Sequence, residues 1–461
     1  MTQAATTAPA FIRDAERDFR TERMLNAPVV PLLVRLALPN ILIMLAQAST
    51  GLIETFWVSR LGTDALAGMA LVFPAVMLMT TISAGALGGS ISSAVARALG
   101  AGRRDDADAL VLHAVAVNLL FGIAFSALFL LLGEPIYRLL GGSGAELRAA
   151  LLYSTVVFIG NAFVWTMNGL ASVIRGTGNM LYPAIITCVG VVFLVPVSPL
   201  LIFGFGPVPG FGIAGGGLAL IAYYVAGTVA MAWYIVAGRT PVRFRWGRLR
   251  WSLLSGILRV GSLSAINSVL TNVVIAGTTA LVASIAGVAA VAGFGTGVRL
   301  EYLLIPLIFG IGAPMVALVG TNIGAGRRER ARHIALTGAG LAFVVTEIVG
   351  LVAALYPAIW MHLFTQDPAA IAVGSSYLRI VGPFYGFFGL GLSLYFASQG
   401  AGRLFWPIVA GFARLAMAIG GGFLALQLGG SMTLIFIAVA ISLLAYGTII
   451  FAAIRFGRWL D

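Results

Sequence analysis

The chain has 461 residues, 60% of them hydrophobic and 10% charged, with a formal net charge of +12 and a mean hydropathy of +1.02. A soluble domain carries about 25% charged residues, so these values exclude a water-soluble globule and indicate an all-α, polytopic membrane protein. All 28 basic residues are arginine; they cluster in short loops without any base-reading or stacking motif, which argues against a nucleic-acid partner.

Residues 1–30 are polar and of mixed charge, include "RDAERDFRTER", and hold no apolar signal-peptide core. They read as an N-terminal tail, disordered or forming a short helix on the membrane surface. Beyond them, runs of about 20 apolar residues, each long enough to cross a bilayer core of about 30 Å, follow almost without pause. The pattern predicts twelve spans: 32–58, 66–96, 108–133, 149–173, 181–204 and 214–237, then 253–283, 287–320, 333–361, 374–398, 404–428 and 432–455. The expected organisation is a first lobe over 31–237, a basic linker over 238–252, a second lobe over 253–455 and a short tail over 456–461. Pro39 and Pro314 fall inside spans, where the missing backbone donor favours a bend.

The connector "RTPVRFRWGRLRW" carries five arginines and no acid. With Arg103, Arg104, Arg175, Arg327, Arg328 and Arg403 it marks one set of connections, to which both tails belong; the alternate set holds only Arg60, Arg138 and Arg148. Positive charge retains loops in the cytoplasm, so both termini are expected there, in a multi-pass protein of the inner (plasma) membrane. The lone cysteine, Cys188, excludes an internal disulfide.

One phrase occurs twice. "LGAGRRDDA" begins at Leu99 and "IGAGRRERA" at Ile323, an offset of 224. "RGTGNMLYP" from Arg175 pairs with "QGAGRLFWP" from Gln399 at the same offset, as Arg35 does with Arg259. Distant anchors at one offset indicate an internal duplication. Six spans per copy is an even number, so the halves are parallel repeats about an axis along the membrane normal. The repeated phrase itself reads as a tight glycine turn held inside by arginines.

No Walker loop, HExxH pair, serine elbow or zinc-ligand spacing is present, so no enzyme, cofactor or metal is expected. Absent catalytic motifs and duplicated halves point to a secondary transporter. An ionisable residue inside a span is costly and marks function by default; Glu54, Glu301 and Glu347 qualify. Glu54, near the outer end of the first span, could exchange a proton or cation, or simply pair with Arg60. Glu301 stands two residues from Arg299 and so on a different helix face, leaving Arg379 and Arg414 as candidate partners, in a structural pair or a cation pathway. Glu347 is expected to rest on a polar neighbour. Asn40, Gln47, Asn168, Asn267, Thr271, Asn272 and Arg299 could line a polar cavity, although an in-span amide is more often an interhelical hydrogen-bond partner.

Several phrases resemble the multidrug and toxic compound extrusion (MATE) family: "LALPNILIMLAQASTGLIETFWVSRLGTDALAG", "ALGAGRRDDA", "VIRGTGNMLYPAIIT", "LLIFGFGPVPGFGIAGGGLA", "AGFGTGVRLEYLLIP", "NIGAGRRERA" and "FASQGAGRLFWP". The resemblance spans nearly all of 30–455 and implies twelve helices in two six-helix lobes around a central cleft. It also implies export of small organic, often cationic, compounds against inward proton or sodium movement. Some members carry an aspartate where Glu54 stands, and an N-x-x-x-D-P pattern where this chain reads Leu194, Ser198 and Pro199. Others place acids near Thr271 and Phe388. With those acids absent, the resemblance favours protons over sodium, coupled through Glu54, in a monomer embedded in the bilayer. A lipid-linked oligosaccharide flippase of the wider superfamily is the nearest rival, kept open by Arg299, Arg379 and Arg414; a non-transporting receptor or scaffold needs no duplicated halves.

Overall fold

The computed structural model describes residues 19–429, 431–457 and 459; the first 18 residues of the expected tail and Arg458, Leu460 and Asp461 of the other lie outside them. The twelve spans are α1 (Val29–Ser59), α2 (Thr63–Gly100), α3 (Arg104–Leu139), α4 (Gly144–Ile159 with Asn161–Gly176), α5 (Leu181–Phe203), α6 (Ile213–Val236), α7 (Trp251–Ile285), α8 (Ala290–Gly324), α9 (Arg328–Leu355), α10 (Pro368–Ala401), α11 (Phe405–Gln427) and α12 (Met432–Arg455). In hydrocarbon every backbone polar group must be satisfied internally, which is why apolar runs of this length become helices.

The helices fall into two six-helix lobes. Trp165, Tyr137 and Phe158 centre one apolar core; Phe294, Tyr377 and Phe436 centre another. The lobes meet where α2 crosses α8. A Cβ on Gly100 would run into the carbonyl of Thr321, and one on Gly324 into the carbonyl of Arg97. These partners interchange under the 224-residue offset, so the two lobes are related by a pseudo-twofold between α2 and α8. The inner half of α2, from Thr81 on, packs against α8, whereas its outer part, Thr63–Thr80, packs on α4 within its own lobe. The lobes are thus sealed at the arginine-rich face and part toward the other, giving a cleft.

Three details depart from the expected spans. The fourth is broken at Gly160, where its two pieces bend by 47°; Asn161 Nδ2 caps the carbonyl of Gly122 on α3 at 2.9 Å, and Ile221 fills the space a Cβ at 160 would need. Inside α2 and α11, the segments Thr81–Leu87 and Ala416–Gly420 are π-helical. The ninth span ends at Leu355, and Pro357–Met361 forms a separate turn.

The repeated phrase does more than turn the chain. In the first copy, Asp106 pairs with Arg250 at 2.8 Å, and Asp108, the residue just after the phrase, accepts the backbone N–H of Arg243 through Oδ1 at 2.7 Å. Both arginines belong to the linker that leads into α7. In the second copy, Arg327 Nη1 donates to the carbonyl of Leu25 and to Asn26 Oδ1, each at 2.8 Å, and Arg330 donates to the carbonyl of Ala27. Each lobe therefore holds the segment leading into the other. The tail accordingly is not free through residue 30: residues 19–26 are helical, and Met24 is buried against the α8 end, its carbonyl accepting from Asn322 Nδ2 at 3.2 Å.

Candidate transport site

The buried residues of α1 include Asn40, Ile43, Thr50, Glu54 and Val58, a spacing that puts them on one helix stripe, whose Asn40 meets the second lobe and whose Glu54 meets its own. Glu54 is 5% exposed, and Tyr153 of α4 donates its hydroxyl to Oε1 at 2.7 Å. The glycine run 215–217 makes this approach possible: Gly215 lies on the carbonyl of Leu201 and Gly217 on Val156, while Gly216 leaves room beside the Glu54 carboxylate. Arg60 does not pair with Glu54; its guanidinium lies over the Phe56 ring, 5.1 Å from the centroid.

The second lobe builds a different centre. Arg414 Nη2 of α11 meets Glu301 Oε1 of α8 at 2.6 Å, with both side chains 3% exposed. The same guanidinium stands over Phe388 and Tyr446, at 5.1 and 5.6 Å from the ring centroids, a cation-π setting. Tyr377 donates to Glu301 Oε2 at 3.5 Å. Of the two arginines named as candidates from sequence, Arg414 takes the glutamate and the exposed Arg379 does not. Glu347 accepts the N–H of Gly386 at 2.7 Å.

The polar residues expected to line one cavity are dispersed. Asn40 is buried and donates to the carbonyls of Phe309 and Gly310 at 3.0 and 3.4 Å. Pro314 lacks the N–H that would otherwise bind the Gly310 carbonyl, so Asn40 supplies the missing donor from across the lobe interface. Asn168 donates to Ser83 Oγ in the π-segment of α2 at 2.9 Å. Asn267 is buried, Thr271 and Asn272 bond back to carbonyls of their own helix, and Gln47 is half-buried. Arg299 is exposed and lies over Phe364 at 5.6 Å.

A seal lies below these groups. Ser93 Oγ donates to the carbonyls of Gln399 and Gly400 at 2.6 and 2.9 Å, and Arg97 Nη1 donates to Gly400 at 3.0 Å. Gln399 Nε2 crosses to the carbonyls of Gly85 and Ala86 at 3.3 and 3.4 Å and reaches Ser264 Oγ at 2.9 Å. Under the 224-residue offset, Gly85 and Ala86 correspond to Phe309 and Gly310, and Ser264 to Asn40. Serine is shorter than asparagine, and Gln399 bridges the difference. Sequence reading passes over Tyr153, Tyr377 and Gln399, although the offset already pairs the two tyrosines.

Two similar helical lobes, a cleft between them and buried glutamates within membrane spans are the architecture of a membrane transporter. The MatE family model matches the chain twice, over residues 39–200 and 264–424, once in each half, and the chain belongs to that family of membrane transporters. It is 28% identical over 380 residues to a protein of Shewanella oneidensis named FAD transporter, covering 81% of this chain and 82% of the relative. It is also 28% identical over 397 residues to the probable multidrug resistance protein NorM of Thermotoga maritima, covering 84% of each. A crystal structure of a MATE protein in the bent conformation superimposes with a TM-score of 0.86 at 24% identity, covering 95% of this chain and 96% of the other. An outward-facing MATE transporter of the MOP superfamily gives 0.84, also at 24% identity, covering 94% and 97%.

Proposed function

We propose that this protein is an efflux antiporter that exports organic, cationic or amphiphilic compounds in exchange for protons, with Glu54 as the coupling group. In this reading it works as a monomer in the inner membrane, its arginine-rich face in the cytoplasm. The two expected lobes, 31–237 and 253–455, then rock about the α2–α8 contact, and the conformation described here opens outward. The observation that carries the coupling role is the contrast between the two glutamates. Glu301 is neutralised by Arg414, whereas Glu54 has no ion-pair partner among the described residues and one side-chain hydrogen bond, from Tyr153. A proton arriving at Glu54 removes an uncompensated buried charge without breaking an ion pair. Such a ligand shifts a two-state equilibrium by its differential affinity for the two states, which is what exchange for cargo requires.

The test is transport in everted vesicles with the proton and sodium gradients collapsed separately. Efflux stops with the proton gradient and survives loss of the sodium gradient. Glu54→Gln reaches the membrane but loses gradient-driven efflux, while Glu54→Asp keeps substantial activity. Full proton-driven efflux by Glu54→Gln would sink the assignment and move attention to Glu301.

A second reading concerns the cargo. Arg299 and Arg379 are exposed within α8 and α10 and have no acidic partner among the described residues, and one relative is named for a dianionic-phosphate cofactor, FAD. Anionic cargo would be held by such arginines. Competition of dye efflux by flavin nucleotides, and its loss in Arg379→Gln, separates this cargo class from cationic compounds.

A further inference from the structure

A groove of about 800 Å³ opens on the arginine-rich side of the first lobe, between the helix of residues 19–26, the first part of α1 and the start of α5. Its lining combines two chemistries. Arg20, Arg23 and Arg35 form its basic part, and none of the three has an ion-pair partner among the described residues. Arg20 Nη1 is buried without a hydrogen-bond partner. Beside them the wall is aliphatic: Val30, Val34, Leu38 and Leu42 of α1 and Leu181 of α5 line it, and all five are well exposed, Leu38 by 60%. Three cations without an ion-pair partner among the described residues, beside an apolar trough along one helix side, match a molecule with an anionic head and a hydrocarbon tail. A soluble phosphate would satisfy the arginines and leave the trough empty; a neutral lipid would do the reverse.

We propose that this groove binds an anionic phospholipid, its phosphate on Arg20, Arg23 and Arg35 and an acyl chain along Val34, Leu38 and Leu42. Basic recesses at the membrane interface attract anionic headgroups at about 1 kcal/mol per arginine, close to a fivefold change in affinity each. The lipid would also tie the helix of residues 19–26 to α1. That helix is the one held by the second lobe through Asn322 and Arg327, so the bound lipid adds a clamp across the closed face.

Native mass spectrometry of the full-length protein, titrated with phosphatidylglycerol or phosphatidylcholine in detergent, tests this. Phosphatidylglycerol should bind more tightly than phosphatidylcholine. Combined Arg20→Gln, Arg23→Gln and Arg35→Gln should weaken it by on the order of 100-fold, and each single change by about fivefold. The single variants report even if the triple variant folds poorly. Arg259→Gln, the repeat counterpart of Arg35 outside the groove, should leave binding unchanged, and millimolar glycerol phosphate should not displace the lipid. Equal retention of the two lipids, unchanged binding in all arginine variants, or displacement by glycerol phosphate would overturn the proposal.

Discussion

Tyr153 and Tyr377 stand 224 residues apart, at equivalent places in the two lobes, and each donates its hydroxyl to a buried glutamate. The glutamates are not equivalent. Glu54 comes from the first helix of its lobe and Glu301 from the second of the other, and only Glu301 is met by an arginine. Duplication kept the donor and let the acids diverge, leaving one lobe with a buried ion pair and the other with a carboxylate that no arginine meets.

Tyr153→Phe should therefore reduce gradient-driven efflux by roughly tenfold or more, since a hydrogen bond to a charged group contributes about 1.5 to 3 kcal/mol. It should also alter the pH dependence of transport. Tyr377→Phe should leave that dependence in place, because the longer 3.5 Å bond is secondary to Arg414. Vesicle efflux measured across external pH compares the two.

Arg414→Leu should destabilise the fold by about 3 to 5 kcal/mol, the cost of stranding a buried charge without its partner. Adding Glu301→Leu removes the stranded charge and should recover most of the loss. Thermal unfolding in detergent, completed as a double-mutant cycle, measures the coupling; a simple sum of the two single effects would refute it.

Asn40→Leu should leave the carbonyls of Phe309 and Gly310 without their donor, at a cost of about 1 to 3 kcal/mol. The contact joins the two lobes, and in the proposed rocking motion it is lost when the arginine-rich face opens. The population open at that face should rise, read as faster labelling of a cysteine placed at Ala96 after Cys188 is replaced by serine.

Gly100→Val should act on the same equilibrium by a steric route. The new side chain would collide with the Thr321 carbonyl, a backbone atom that cannot swing away. Disulfide formation between cysteines at Ala101 and Ala325 should fall several-fold relative to the parent, and Gly324→Val should behave alike because its contact with Arg97 is the counterpart.

Hydropathy and the 224-residue offset determined the membrane class, the twelve spans, the duplication and the candidate acids, because each rests on local composition or on spacing along the chain. What each polar group touches was decided only by tertiary structure. Arg414 and not Arg379 reaches Glu301, Asn40 donates to a carbonyl 270 residues away, and the acids at 105–108 dock a linker more than a hundred residues downstream. The π-turn of α2 and the break at Gly160 also lie beyond pattern reading, since both are local distortions stabilised by partners on other helices. An apolar span shows that a helix crosses the membrane; its rotation about its own axis, and so the neighbour each side chain meets, is fixed by packing against the other eleven.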